Sequence, residues 1–153
     1  MKKITTIIAI TLLAALLFTG CSIIPMKKDF SQYGFTLSIA GEVTVEKGSK
    51  EGSAVLNTQY GDITFSKMLL NLGLSESSLA KSCESKETIG ENGRLYFFAA
   101  EEDQSGNILV ATYYFAEDAE GNTWMVSCFT PEDAYNKLVI TNIYKSIVFV
   151  NAE

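Results

Sequence analysis

Apolar and polar positions change rhythm several times along the chain, and each change marks an element. From Phe35 to Ile39 (Phe-Thr-Leu-Ser-Ile) they alternate, the period of a strand with one buried face. Glu42–Glu46 and Ala54–Thr58 read as further short strands on either side of the polar loop Lys47–Ser53. Asp62–Asn71 reads as a longer strand, although its Met-Leu-Leu run could equally begin a helix. Two helix starts are marked. Ser75 can cap a helix reaching about Glu84, with Leu74 and Leu79 as a hydrophobic staple across the cap. Thr130 caps a second, with Pro131 where its missing N–H does no harm and Glu132 and Asp133 at the positive helix end. That helix is expected to run to about Lys145 with Tyr135, Leu138, Val139 and Ile143 on one stripe.

Three β-rich runs lie between the helices: Arg94–Ala100, Ile108–Ala116 and Thr123–Phe129. Acidic loops separate them, and each loop ends in Gly-Asn, residues that tolerate the positive φ of a tight turn. An antiparallel meander follows, and Ile147–Val150 adds a strand after the last helix. Strands, a short helix, a meander, a helix and a final strand predict an α+β fold, with a central antiparallel sheet flanked by helices.

The start of the chain has a different pattern. After Lys2-Lys3, residues Ile4 to Phe18 are all apolar or threonine, a run of about 15 where a spanning helix needs ~20. Thr19-Gly20 then precede Cys21. A basic start, a short apolar core and small residues make a secretory signal. Small residues directly before a cysteine fit the lipobox of bacterial lipoproteins, with Phe18 where Leu is commonest. Residues 1–20 are expected to be removed, and Cys21 to carry a diacylglyceryl group whose two chains suffice for stable anchoring. Cys21 to Gln32 then reads as a tether, in which Pro25 blocks helix continuation, and residues 33–150 as a single domain. The expected location is extracytoplasmic, on the cell membrane, or on the outer membrane of an organism that has one.

Charge and composition narrow the chemistry. The chain has 12 basic and 18 acidic residues; losing Lys2 and Lys3 leaves 10 against 18, a net charge of −8. Arg94 is the one arginine, so the clustered basic face of a nucleic-acid binder is missing. Histidine is absent, which removes Ser-His-Asp and Cys-His catalysis and the usual catalytic zinc sites. No cofactor is expected.

Four constellations remain. Cys83 and Cys128 are the thiols left once Cys21 is lipidated: outside the cytoplasm they can form one disulfide, or stay as two separate buried thiols. Neither has the surroundings of a reactive cysteine. Ser78-Leu79-Ala80-Lys81 matches the S-x-x-K pairing of a lysine with a serine nucleophile, without its S-D-N and K-T-G companions; it reads as a solvated helix face. The acidic loops Glu101-Glu102-Asp103 and Glu117-Asp118-Ala119-Glu120 lack the spacing of an EF-hand and read as soluble loop tips. Tyr96, Phe97, Phe98, Tyr113, Tyr114, Phe115 and Trp124 crowd the meander. Consecutive aromatics must point to both sheet faces, and any face left uncovered is the expected site of partner contact.

In the order of these pieces the chain resembles the PsbP-like fold, shared by the photosystem II accessory protein and many small bacterial lipoproteins. The resemblance covers about residues 33–150. It rests on Tyr33-Gly34-Phe35-Thr36-Leu37-Ser38-Ile39, on Leu72-Gly73-Leu74-Ser75 before a short helix, on the meander, and on Asn142-Ile143-Tyr144-Lys145-Ser146-Ile147-Val148-Phe149. Ala40 and Val43 stand where that family usually carries Pro and Trp. The resemblance implies an α/β/α sandwich and an accessory role, with no activity attached.

Together these readings give a non-enzymatic lipoprotein, an accessory or partner-binding module held to the membrane through Cys21, with an envelope protein as its partner. The alternative is a solute-binding lipoprotein with an apolar pocket between the meander and the last helix. A thiol-redox or hydrolytic enzyme is the third reading.

Overall fold

The computed structural model describes residues 24–48, 53–68 and 76–151. The signal segment, Cys21, the Leu74–Ser75 cap and the end of the strand expected at Asp62–Asn71 lie outside the described residues. Ten strands are described: β1 Met26–Phe30, β2 Phe35–Ile39, β3 Thr44–Lys47, β4 Ser53–Thr58, β5 Gly61–Met68, β6 Ser85–Ile89, β7 Gly93–Glu102, β8 Ile108–Glu117, β9 Thr123–Pro131 and β10 Val148–Phe149. Two α-helices accompany them, α1 Glu76–Ser82 and α2 Lys137–Lys145.

Strands take up 55% of the described residues and helical turns 19%, which overturns the expected α+β architecture. Among the described residues no helix-flanked central sheet, and so no α/β/α sandwich, is formed. Instead a three-stranded antiparallel sheet, β1-β2-β10, packs on a seven-stranded antiparallel sheet of order β3-β4-β5-β9-β8-β7-β6. The expected meander is formed by β7, β8 and β9, with β6 added at its outer edge; the β3–β5 half joins it through β5, paired with β9 from Asp62↔Phe129 to Met68↔Thr123.

Particular residues account for the shortfall in helix. Pro131 does not open a helix; it ends β9, opposite Leu109. Thr130 caps nothing, because its hydroxyl is fully buried and lies 3.4 Å from the Cys128 thiol. Glu132–Ala134 make one 3-10 turn, and Tyr135 returns to extended backbone. Helix α2 starts after Asn136, whose side chain accepts from the Leu138 and Val139 amides at 3.1 and 3.2 Å, the usual task of an N-cap. The later start rotates the buried stripe onto Ile140, Ile143 and Tyr144 and leaves Leu138 outside.

Two strands carried little apolar signal. β6 (Ser-Lys-Glu-Thr-Ile) is an edge strand with only Ile89 buried. β1 lies inside the segment expected to be tether, yet it pairs with β2 along its whole length, from Met26↔Ile39 to Phe30↔Phe35.

The main core fills the space between the sheets. Phe35 stacks on Phe65 with centroids 3.6 Å apart and meets Trp124 edge-on; Trp124 in turn stacks on Phe149. Gly34 turns β1 into β2 with φ +89° directly beneath the Trp124 ring, where a Cβ would sit 3.2 Å from the indole. Helix α2 covers the rest of this face. Its buried Tyr144 lies against Tyr114 and shares a 2.9 Å hydrogen bond with the Thr112 hydroxyl, so the one polar atom it buries is satisfied.

Candidate functional site

Strand alternation sends the other half of the meander's aromatics to the opposite face of the large sheet. There Leu79, Tyr96 and Phe115 form a second, smaller core, with Met68, Cys83, Phe98, Tyr113 and Met125 packed around it. Among the described residues only α1 crosses this face. Seven residues cannot hold a helix in place by themselves, and α1 is fastened at its first residue. The Glu76 carboxylate accepts from the Arg94 guanidinium, through Nε and through Nη2 at 3.0 Å, and from the Tyr96 hydroxyl at 2.6 Å. Burial works against its charge, yet these hydrogen bonds and the charge of Arg94 hold Glu76 below the usual carboxylate range. Burial, together with the same carboxylate, pushes the Tyr96 phenol up to about 12.

Beyond α1 the face opens into a groove of about 260 Å³. Its floor is Phe98, Tyr113 and Phe129, set edge to face at 5.4 and 6.0 Å, with Leu79, Leu109 and Ala111 beside them. Phe129 remains 44% exposed near the end of β9. Glu101, Glu102 and Asp103 form the rim. The groove thus offers an aromatic floor and a negative border.

The sheet stands between the two described cysteines. Cys83 packs with the second core at the end of α1, its thiol 3.4 Å from the Ala80 carbonyl. Cys128 belongs to the main core on the other face, is 1% exposed, and lies opposite Ile63 and Thr112. Both are free thiols, and this placement sets the disulfide alternative aside. Burial pushes Cys128 up to about 11, which keeps it protonated and a poor nucleophile at neutral pH.

Ser78 and Lys81 lie on the exposed side of α1, and neither lines the groove. The acidic loops direct their aspartates inward. Asp103 Oδ1 accepts from the amides of Ser105 and Asn107 at 2.8 and 2.9 Å, and Oδ2 from the Asn107 side chain at 3.0 Å. Asp118 repeats the pattern with Glu120 and Asn122. The glycines that close the two loops have φ +84° and +80°. A repeated Asp-x-x-Gly-Asn therefore builds both turns, with side chains that hold their own backbone. Among the described residues no group of three His, Cys, Asp or Glu is placed to hold a metal ion.

Sequence reading missed the Glu76–Arg94–Tyr96 cluster and the exposure of Phe129. The lone arginine was the available signal for the first. The second had none, since Phe129 looks like its buried neighbours until the cover of each face is known.

No family model matches this chain, and no curated protein or solved structure is similar to it.

Proposed function

We propose that this protein is a lipid-anchored, extracytoplasmic, non-enzymatic module that binds a protein partner through the open aromatic face of its large sheet. The unequal cover of the two faces carries the reading. One face is closed by a second sheet and α2, whereas the other leaves an aromatic groove with Phe129 exposed at its floor. Clustered exposed aromatics mark contact surfaces, because water contact there is costly unless a partner relieves it. The rim of Glu101, Glu102 and Asp103 adds charge selection. The partner that fits is a protein segment with apolar side chains flanked by lysine or arginine.

The side chains that could do chemistry support the non-enzymatic reading. Cys128 is buried and protonated, and Asp103 and Asp118 are engaged by their own loops. The solute-binding alternative has weaker support. It needs a pocket between the meander and α2, and there Ile140, Ile143 and Tyr144 pack into the main core; the groove on the other face, at about 260 Å³, is smaller than the ~300–1,000 Å³ that small-molecule pockets usually enclose. The anchor belongs to the proposal through Cys21. No helix among the described residues is long and apolar enough to cross a membrane, which leaves the question of an acyl anchor where the sequence put it.

A photo-crosslinking residue at position 129, compared with one at position 138, tests the contact face in cells. Both sites are exposed and apolar, at 44% and 68%, but only the first lies in the groove. A discrete crosslinked protein from position 129 alone is the expected result; the same pattern from both positions would sink the reading.

A further inference from the structure

The two sheets share an end, and that end is where the chain enters from Cys21. Met26 pairs with Ile39 at the far end of β2. Ala40 follows, and its carbonyl accepts from the Gln59 side chain at 3.3 Å in the β4–β5 turn. Gly61 closes that turn against the Phe129 carbonyl, an approach that leaves no room for a Cβ. Phe129, the last residues of β9 and the first of β8 therefore lie at this same end, with Leu109 opposite Pro131. Four of the six large apolar side chains exposed among the described residues gather here: Ile24 at 66%, Met26 at 57%, Ile108 at 47% and Phe129 at 44%.

From this placement, and resting on the reading of Cys21 as the acylated residue, we propose that the β1 edge of this end is seated on the bilayer surface. Ile24 and Met26 enter the headgroup layer, and Lys27 and Lys28 lie beside the phosphates. Covalent reach supports the contact. Five residues of fully extended chain span at most about 18 Å, while the headgroup layer is itself roughly 5–8 Å deep. A cysteine whose acyl chains are in the hydrocarbon therefore keeps β1 close to the surface. Side-chain chemistry supports it as well. Two exposed apolar residues followed by two lysines match a boundary that is apolar below and anionic above, since lysine stems lie on apolar ground while their ammonium groups reach phosphate. Charge also limits the seat. Glu101, Glu102 and Asp103 at the groove rim repel phosphate, so the contact is made by β1 and the groove stays above the headgroups.

Depth-dependent fluorescence quenching tests this on the full acylated protein in phosphatidylcholine vesicles containing a minority of phosphatidylglycerol. A fluorescent amino acid replaces Met26 in one preparation and Ala119, in the loop at the opposite end, in another. Lipids brominated near the headgroup are expected to quench position 26 several-fold more than position 119, in protein that floats with the vesicles. Equal quenching in floating protein would overturn the docking while leaving the anchor intact. Failure to float, matched by a Cys21→Ser variant, would remove the anchor and the docking together.

Discussion

The indole of Trp124 donates to Asp118 Oδ2 at 3.0 Å, tying the last loop of the meander to the aromatic stack that joins the two sheets. Lys67 lies 3.6 Å from the same carboxylate, and the amides of Glu120 and Asn122 bind its other oxygen. Burial opposes the charge of Asp118, but the donors from Trp124, Asn122 and Glu120 outweigh it and bring the carboxyl from 3.8 down to about 2. A depressed carboxylate stabilises the fold above its unfolded value, and the contribution is lost as pH falls toward the folded one. Asp118→Asn is therefore expected to destabilise the protein by about 1–3 kcal/mol at pH 7. The difference from wild type should shrink between about pH 4 and pH 2. Urea unfolding across that range checks it; a penalty constant down to pH 2 would count against the charge as its source.

Glu76 fastens helix α1 at its first residue. Glu76→Gln removes the charge that Arg94 and Tyr96 both address and is expected to cost about 1–2 kcal/mol, discounted for the partial exposure of the pair. The more specific effect is local. Cys83 packs at the end of this helix, so its reaction with a thiol reagent should accelerate several-fold while Cys128 stays protected. Acceleration at both cysteines would indicate general unfolding instead.

With a sheet between them, the two cysteines should gain nothing from oxidising conditions. Thermal unfolding of the purified protein is expected at the same temperature with and without reductant. Alkylation of native protein should modify Cys83 ahead of Cys128, which is 1% exposed. A reductant-dependent melting temperature in a monomer would show that the thiols are paired.

Tyr144 and Thr112 bury a hydroxyl pair in the main core, 2.9 Å apart. Burial pushes the Tyr144 phenol well above its ordinary value, so it stays protonated and the contact is insensitive to pH across the neutral range. Tyr144→Phe and Thr112→Val should each cost about 1–2 kcal/mol. Their double variant should cost less than the sum of the two, since each single change leaves the other hydroxyl only a longer backbone acceptor, Cys128 O at 3.4 Å for Thr112 and Thr112 O at 3.5 Å for Tyr144. Strict additivity would mean the two hydroxyls do not depend on each other.

How much of this was legible in the sequence depended on whether the signal was local. The alternation in Phe35–Ile39 and the two acidic turns of the meander set strands that formed close to where their patterns placed them. Pro131 misled because the same Thr-Pro-acid pattern that can open a helix can also end a strand, and the pairing with Leu109 decided between them. β6 was invisible because an edge strand with one buried residue needs no apolar alternation. The groove was anticipated only in conditional form. Aromatics on both faces could be read from Tyr96-Phe97-Phe98 and Tyr113-Tyr114-Phe115, but which face stays open depends on where β1, β2 and α2 pack.

If Cys21 is acylated, the four residues between it and β1 also change the statistics of encounter. On a long flexible linker, a binding groove explores a wide volume and its local concentration near any membrane-bound partner is diluted accordingly. Pairing Met26–Phe30 into the small sheet removes that slack and confines an acylated copy to a thin layer at one height. Its search for a membrane-bound partner then becomes two-dimensional, with most of the translational freedom that binding would consume already surrendered to the bilayer.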